Sequence, residues 1–160
     1  MPSIPDDLYD HDALAWSERQ AALLRRVARG ERVNDVDWDH VVEEIEDVGL
    51  SELNAVYSYL RQILVHLLKL HGWPDLEPEQ HWRAEIAAVQ SDAARRFAPS
   101  MRRRIDLADI YDQAKRQIGL TRYGGKAALT PPTICPVTLD ELLSAWVEDL
   151  EAAFLAARDG

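Results

Sequence analysis

Three side chains capable of acid–base chemistry recur at seven-residue intervals in the middle of the chain: Glu52, Tyr59 and His66. On a straight α-helix, residues seven apart are displaced by only about 20° around the axis, so these three line one side of the helix. A carboxylate, a phenol and an imidazole in one row offer an acid or base, a hydrogen-bond donor and a proton shuttle. The same spacing covers about 10 Å along the axis, which is too far for two of these groups to bind one metal ion.

These candidate catalytic residues lie at the margin of an apolar stripe whose periodicity predicts burial. The stripe comprises Val42, Ile45, Val56, Leu60, Ile63 and Leu67. A functional interpretation places Glu52, Tyr59 and His66 along a polar cleft. The structural alternative is that each of them hydrogen-bonds a neighbouring helix or loop, as buried polar groups do.

A weaker arrangement for a metal ion is formed by His40 and Glu44, which are one helical turn apart and can share a cation. Metal sites in helical bundles typically use Glu-x-x-His on two helices. The chain contains neither that motif nor H-E-x-x-H. The sequence therefore predicts no metal site and no cofactor, with His40 and Glu44 as weak candidates only.

Two other features invite a chemical interpretation and do not support one. Cys135, the lone cysteine, lies between Ile134 and Pro136, and a reactive thiolate would need a base and a cation that the sequence does not place beside it. Gly124-Gly125-Lys126 lacks the spacing and the hydroxyl residue of a phosphate-binding loop. A packed thiol and a turn are the predictions here.

The elements that must position these residues are helices punctuated by proline and glycine. The patterns predict a first helix capped by Asp10 and running to Arg29, followed by a long helix from about 38 to 71 capped by Asp37. A third helix is predicted over 80–98, and a fourth runs from a Ser100 cap to Gly119. After an irregular stretch over 120–136, a last helix begins at the Thr138–Glu141 capping box and ends near Ala157. Gly49 and Ser51 are positions where the long helix can bend or break. The prediction is a single all-α domain over 1–160, a bundle of five to six helices with one long member.

Composition and charge limit the classes of function. The net charge of −10 argues against a general nucleic-acid binder. Residues 95–126 hold nine Lys and Arg against three Asp, which predicts a basic helix face that complements acidic surface in the same molecule or a neighbour. A single cysteine, no signal-peptide pattern and no unbroken apolar span predict a cytoplasmic protein without membrane association.

Several segments, in this order, resemble one bacterial family. They are Y-D-H-D-A-L-A-W, W-D-H-V-V-E-E-I-E-D-V-G, I-L-V-H-L-L-K-L, W-R-A-E-I and C-P-V-T-L-D-E-L-L. Together they are similar to the family catalogued as domain of unknown function 29, over about residues 9–150. The resemblance implies a small all-α bacterial protein and no activity. The chain departs from the family pattern at Leu70, where an aromatic residue is usual.

Two functional hypotheses follow. The first is a non-enzymatic protein-interaction module that binds another protein or a second copy of itself, because catalytic motifs are missing while amphipathic helices and separated charge are present. The alternative is a small-molecule-binding or enzymatic bundle with a polar cleft along the long helix. In that case Glu52 is the acid or base, Tyr59 the hydrogen-bond donor and His66 the proton shuttle.

Overall fold

The computed structural model describes residues 8–76 and 78–158. Within these ranges the chain forms seven α-helices, one 3-10 turn and no β-strand, so the all-α prediction is confirmed. The helices are α1 (Leu8–His11), α2 (Ala13–Ala28), α3 (Trp38–Gly72), α4 (Glu79–Arg96), α5 (Leu107–Leu120), α6 (Leu139–Ser144) and α7 (Val147–Ala156), with the 3-10 turn at Pro99–Met101. These described residues belong to two compact units, which divide between Leu50 and Ser51.

The long helix α3 was predicted over about 38–71 and is observed over Trp38–Gly72. It continues through Gly49 and Ser51 without a break in its helical hydrogen bonding. The ends of α3 suit the helix dipole, because Asp39 lies in the first turn and Lys69 in the last.

The first unit has a small core that joins α1 and α2 to the start of α3. Its buried apolar residues are Trp16, Leu23, Val36 and Val41. Asp37 precedes α3 and organises this junction. Its Oδ2 accepts from Trp16 Nε1 at 3.0 Å and contacts His40 Nδ1 at 2.7 Å, while its backbone N–H donates to Gln20 Oε1 at 2.9 Å.

The second unit contains the main core, and the second half of α3 runs through it. The fully buried residues of α3 there include Val56, Leu60, Ile63 and Leu64. They share one cluster with buried residues of the other helices, namely Ile86 and Val89 of α4, Ile110, Tyr111, Ala114 and Ile118 of α5, Leu142 of α6, and Leu150 and Phe154 of α7. This side-by-side packing of amphipathic helices is how a helical bundle removes its apolar faces from water.

The irregular stretch after α5 packs around the C-terminal end of α3 and is called the wrap. Trp73 Nε1 donates to Lys126 O at 3.1 Å, and the backbone N–H of Leu129 donates to Gly72 O at 2.9 Å. The turn between Tyr123 and Lys126 uses Gly124 and Gly125, which both have positive φ. Further along, Tyr111 Oη donates to Pro132 O at 2.7 Å. The stretch is therefore held in place by hydrogen bonds, as an ordered loop requires.

Three helix boundaries differ from prediction. Asp12, and not Asp10, caps α2, because its side chain accepts from the Ala15 N–H. Asp106, and not Ser100, caps α5; Pro99 and Ser100 instead belong to the 3-10 turn.

The predicted last helix is two helices, since Ala145 and Trp146 are extended. Gln90 Nε2 donates to the carbonyls of Leu142 and Ala145 at 2.9 Å each, which satisfies groups that a continuing helix would have used. The capping box at Thr138 and Glu141 is confirmed.

Among the described residues, no helix combines the length and apolarity that crossing a membrane requires.

Replacing Gly72 by alanine tests the close approach of the wrap to α3. A Cβ at Gly72 would lie 2.8 Å from Ala128 Cβ, so the two segments would have to move apart. We expect Gly72→Ala to lower the free energy of unfolding by about 1–3 kcal/mol, measured by urea denaturation. Gly49→Ala is the matched control in the same helix, where a Cβ meets nothing within 4 Å. It should raise stability by about 0.5–1 kcal/mol, and equal effects of both substitutions would contradict the argument.

Replacing Asp37 by alanine tests the junction of the first unit. The change leaves the indole N–H of buried Trp16 without its acceptor. We expect a loss of about 2 kcal/mol, since an unpartnered buried donor costs about 1–3 kcal/mol. Asp39→Ala, an exposed carboxylate in the next turn, is the control and should change stability by less than about 0.5 kcal/mol. Urea titrations followed by tryptophan fluorescence distinguish the two.

Candidate functional site

The first half of α3 carries an exposed apolar face, which we define as Trp38, Val42, Ile45 and Val48. Their side chains are 53%, 50%, 67% and 67% exposed. The prediction that Val42 and Ile45 are buried with the rest of the apolar stripe is therefore wrong. In the first unit, the buried side of α3 is represented by Val41, which packs with Trp16 and Leu23. Periodicity correctly identified a shared face but could not say which part of it another helix covers.

The neighbouring helices fix the start of α3 through an aromatic cluster. The Tyr9 ring stacks on His40 with 3.9 Å between centroids and meets Trp16 edge-on at 4.9 Å. Tyr9 Oη donates to Glu44 Oε1 at 2.8 Å. These contacts hold one side of α3 against α1 and α2, and they leave the exposed apolar face free of that cluster.

The surroundings of the exposed apolar face are acidic. Asp39, Glu43, Glu46 and Asp47 are all exposed, and within the described ranges no Lys or Arg forms an ion pair with them. On the side of α3 that faces α1, the pKa of Tyr9 is raised to about 12 by its hydrogen bond to Glu44, by partial desolvation and by the charges of Glu44, Glu43 and Asp47, so the negative charge extends around this half of the helix. A cationic partner would gain from this field, and an anionic one would be repelled.

Beside the same junction lies a pocket of about 310 Å³, bordered by Tyr9, Trp16, Arg19, Asp37 and His40 among others. The hydrogen bond to Asp37 holds the pKa of His40 above its ordinary value, against a smaller opposing effect of desolvation. Burial would raise the pKa of Asp37, but the hydrogen bonds from His40 and Trp16 outweigh it and lower that pKa. The pair is thus a charge-assisted contact that fastens the N-terminus of α3.

The weak metal candidates, His40 and Glu44, each have another partner. His40 pairs with Asp37, and Glu44 accepts from Tyr9. Across the part of the chain that the structure describes, no group of three or more His, Cys, Asp or Glu is arranged to hold a metal ion. Sequence spacing did not identify Asp37 as the partner of His40, or Tyr9 as the partner of Glu44. The one available signal was that Tyr9 and Trp16 both lie in the opening segment that resembles the family.

The candidate catalytic residues lie about two turns apart along α3 in the second unit, in different surroundings. Glu52 Oε1 pairs with Arg96 NH1 at 3.1 Å. Tyr59 is half-buried and packs against the main core. His66 is half-buried, and burial lowers its pKa, with Lys69 contributing. Its Nδ1 has no hydrogen-bond partner among the described residues. These residues border neither the pocket at the first-unit junction nor a smaller one lined by Leu67, His71 and Phe154. A shared catalytic role for them stays a prediction.

The thiol and the basic segment have structural partners. Burial raises the pKa of Cys135, whose Sγ donates to Val137 O at 3.4 Å, so the thiol is protonated at neutral pH. In the basic segment, Arg95 pairs with Asp92, Arg96 with Glu52, Arg102 with Asp140 and Lys115 with Asp112. Four of its nine basic side chains are therefore paired within the chain, which is consistent with one of the two predicted arrangements.

Comparison with known proteins gives a family and one similar solved structure. No curated protein matches the chain. An alpha-helical protein of unknown function from Rhodospirillum rubrum, known from its crystal structure, is similar at 29% sequence identity and a TM-score of 0.62, over 92% of this chain and 96% of that one. A family model described as "Domain of unknown function DUF29" matches residues 8–147. By that match over most of its length, and by the similar helical structure, this chain belongs to the DUF29 family.

Proposed function

We propose that this protein is a non-enzymatic protein-interaction module of the bacterial cytoplasm, and that the exposed apolar face of α3 binds a positively charged amphipathic helix of a partner protein. The observation that carries the proposal is the exposure of Trp38, Val42, Ile45 and Val48 on one ordered helix. Clustered apolar side chains ringed by polar residues are typical of interaction sites in folded proteins.

The spacing of the face supports a helix as the occupant. Trp38, Val42 and Ile45 stand at i, i+4 and i+7, the positions through which one helix packs along another. The indole and the branched side chains offer rigid apolar surface at little cost in conformational entropy. Tryptophan is also among the residues that contribute most at interfaces.

Charge selects among helical partners. On the helix, Asp39 and Glu46 border one edge of the face, and Glu43 and Asp47 lie farther round the same helix. A second copy docking the same face would therefore bring carboxylates close to carboxylates. Like charges across an interface disfavour that pairing. A helix with apolar residues at the matching positions and Lys or Arg beside them satisfies both the apolar and the electrostatic requirement. The lone cysteine is compatible with a reducing compartment.

The direct test uses a synthetic helix with leucines at i, i+4, i+7 and i+11 and lysines beside them, with an acidic twin that carries glutamates instead. We expect the basic peptide to bind and Ile45→Arg to weaken it about tenfold, since burying an isoleucine contributes about 1.5–3 kcal/mol. Fluorescence anisotropy is the measurement. Ile134→Arg is the matched control, because Ile134 is also exposed but lies in the irregular stretch.

Three outcomes would contradict this proposal. The basic and acidic peptides could bind equally, or Ile134→Arg could weaken binding as much as Ile45→Arg. The third concerns self-association. If light scattering finds a dimer that Ile45→Arg converts to a monomer, a second copy occupies the face instead.

The acidic surroundings predict a kinetic effect of their own. Reversing two charges in Glu43→Lys/Glu46→Lys should slow association of the basic peptide about tenfold at low salt and flatten its salt dependence, since electrostatic attraction mainly accelerates encounter. Stopped-flow fluorescence measures the rate. Glu148→Lys/Asp149→Lys, an equal change of charge at the exposed start of α7, should leave the rate nearly unchanged. Equal slowing by both pairs would show that only net charge matters.

A further inference from the structure

The pocket of about 310 Å³ at the first-unit junction is large enough for a small organic molecule, and all of its lining residues belong to the first unit. An engineered protein cavity of about 150 Å³ holds a benzene ring, so this pocket has room for such a ring and a polar head group. Part of its lining is apolar and comes from Leu8, Tyr9, Trp16 and Val36. The rest is polar, and its unpaired groups indicate which head group fits.

Gln20 brings two unused hydrogen-bond donors to this pocket. The residue borders the pocket and is 6% exposed. Its Oε1 accepts from the Asp37 backbone N–H at 2.9 Å, which fixes Nε2, with two N–H groups, as the other end of the amide. Nε2 has no acceptor among the described residues. The ring nitrogens of His66 and His71 are unpartnered and enclosed, whereas Gln20 Nε2 keeps surface that a molecule in the pocket can reach.

Two opposite charges border the pocket without being paired. Arg19 is half-buried on α2, one residue before Gln20, and Asp35 is exposed in the segment that precedes α3. Neither forms an ion pair with the other or with any further residue in the described part of the chain. The remaining charged groups at the pocket, Asp37 and His40, already contact each other at 2.7 Å. Arg19 and Asp35 are therefore the charges that a ligand would meet.

This arrangement favours a ligand that carries both signs of charge. A simple anion would be attracted by Arg19 and repelled by Asp35, and a simple cation would experience the reverse. A zwitterion satisfies both, because its carboxylate can accept from Arg19 and Gln20 while its ammonium group donates to Asp35. The apolar part of the lining then suits an apolar side chain on the same molecule.

We propose that this pocket binds a free apolar α-amino acid of about the size of phenylalanine, with its carboxylate held by Arg19 and Gln20 and its ammonium group by Asp35. The site is separate from the exposed apolar face of α3, since His40 lies about 160° around the helix from both Trp38 and Val42. Amino-acid binding and peptide binding can therefore succeed or fail independently.

The test compares phenylalanine with two analogues that each lack one charged group. 3-Phenylpropionate keeps the carboxylate, and phenethylamine keeps the ammonium group. Titrations of 15N-labelled protein at neutral pH are followed by NMR. We expect phenylalanine to bind at least about tenfold more tightly than either analogue, because each analogue loses one charge-assisted contact. The indole N–H signal of Trp16 should shift on binding, and that of Trp82, which is buried in the second unit, should not.

Two charge variants should have opposite effects on the analogues. Arg19→Gln should weaken phenylalanine and 3-phenylpropionate about tenfold and should not weaken phenethylamine. Asp35→Asn should weaken phenylalanine and phenethylamine and should not weaken 3-phenylpropionate. Arg25→Gln and Asp39→Asn are the matched controls, because they remove the same charges from exposed positions that do not border the pocket. They should leave all three affinities nearly unchanged.

The proposal is overturned if phenylalanine does not bind at millimolar concentration, or if either analogue binds as tightly to the natural sequence. That comparison needs no substitution, so it remains decisive if a variant fails to fold. Equal weakening of the two analogues by Arg19→Gln would also overturn the proposal. A shift of other indole signals without that of Trp16 would place the compound elsewhere on the protein, with the same consequence.

Discussion

Removal of one face of α3 from water is the interaction on which the second unit depends. Val56, Leu60, Ile63 and Leu64 are fully buried, and helices α4, α5 and α7 each place apolar side chains in the same cluster. At about 25 cal/mol per Å² of apolar surface, residues of this kind supply most of the favourable free energy in a helical domain. The wrap after α5 extends this burial to the end of the helix, where Trp73 is covered and its indole N–H is satisfied by Lys126. The pocket at His71 exists because this packing stops short of filling the space between α3 and α7.

The first half of the same helix is maintained differently. Among the described residues its core has four buried apolar side chains. The contacts at its start are largely polar or aromatic: Asp37 with Trp16 and His40, and Tyr9 with His40 and Glu44. Such contacts specify the position of a helix without covering much of its apolar surface. A small unit of this kind buries little apolar area for its length, so binding a partner would add a comparatively large increment of stability.

Sequence reasoning succeeded where a signal is local. The long helix was recognised from its apolar period and from Asp37, Gly72 and Pro74, and the capping box at Thr138 from two residues three apart.

Sequence reasoning failed where the structure depends on contacts between distant residues. Asp10 and Asp12 are both acceptable caps by type, and only the chain path selects Asp12. The break at Ala145 depends on the side chain of Gln90, more than fifty residues earlier. The hydrogen bond at His71 Nε2 depends on Arg158, and the exposure of Ile45 depends on the absence of a covering helix among the described residues. Spacing identified Glu52, Tyr59 and His66 as one row but could not anticipate that Arg96 would pair with the first of them.

The close approach of Gly72 to Ala128 has a consequence for how this sequence can diverge. The two residues belong to segments more than fifty positions apart, yet they share a single small volume, since a Cβ on one would overlap the Cβ of the other. Neither position can accept a larger side chain independently. A relative that carries alanine at the first position would need glycine at the second, so drift at these two sites is restricted to coordinated exchanges. Paired variation of this kind among relatives would record the docking of the wrap onto α3 in their sequences alone.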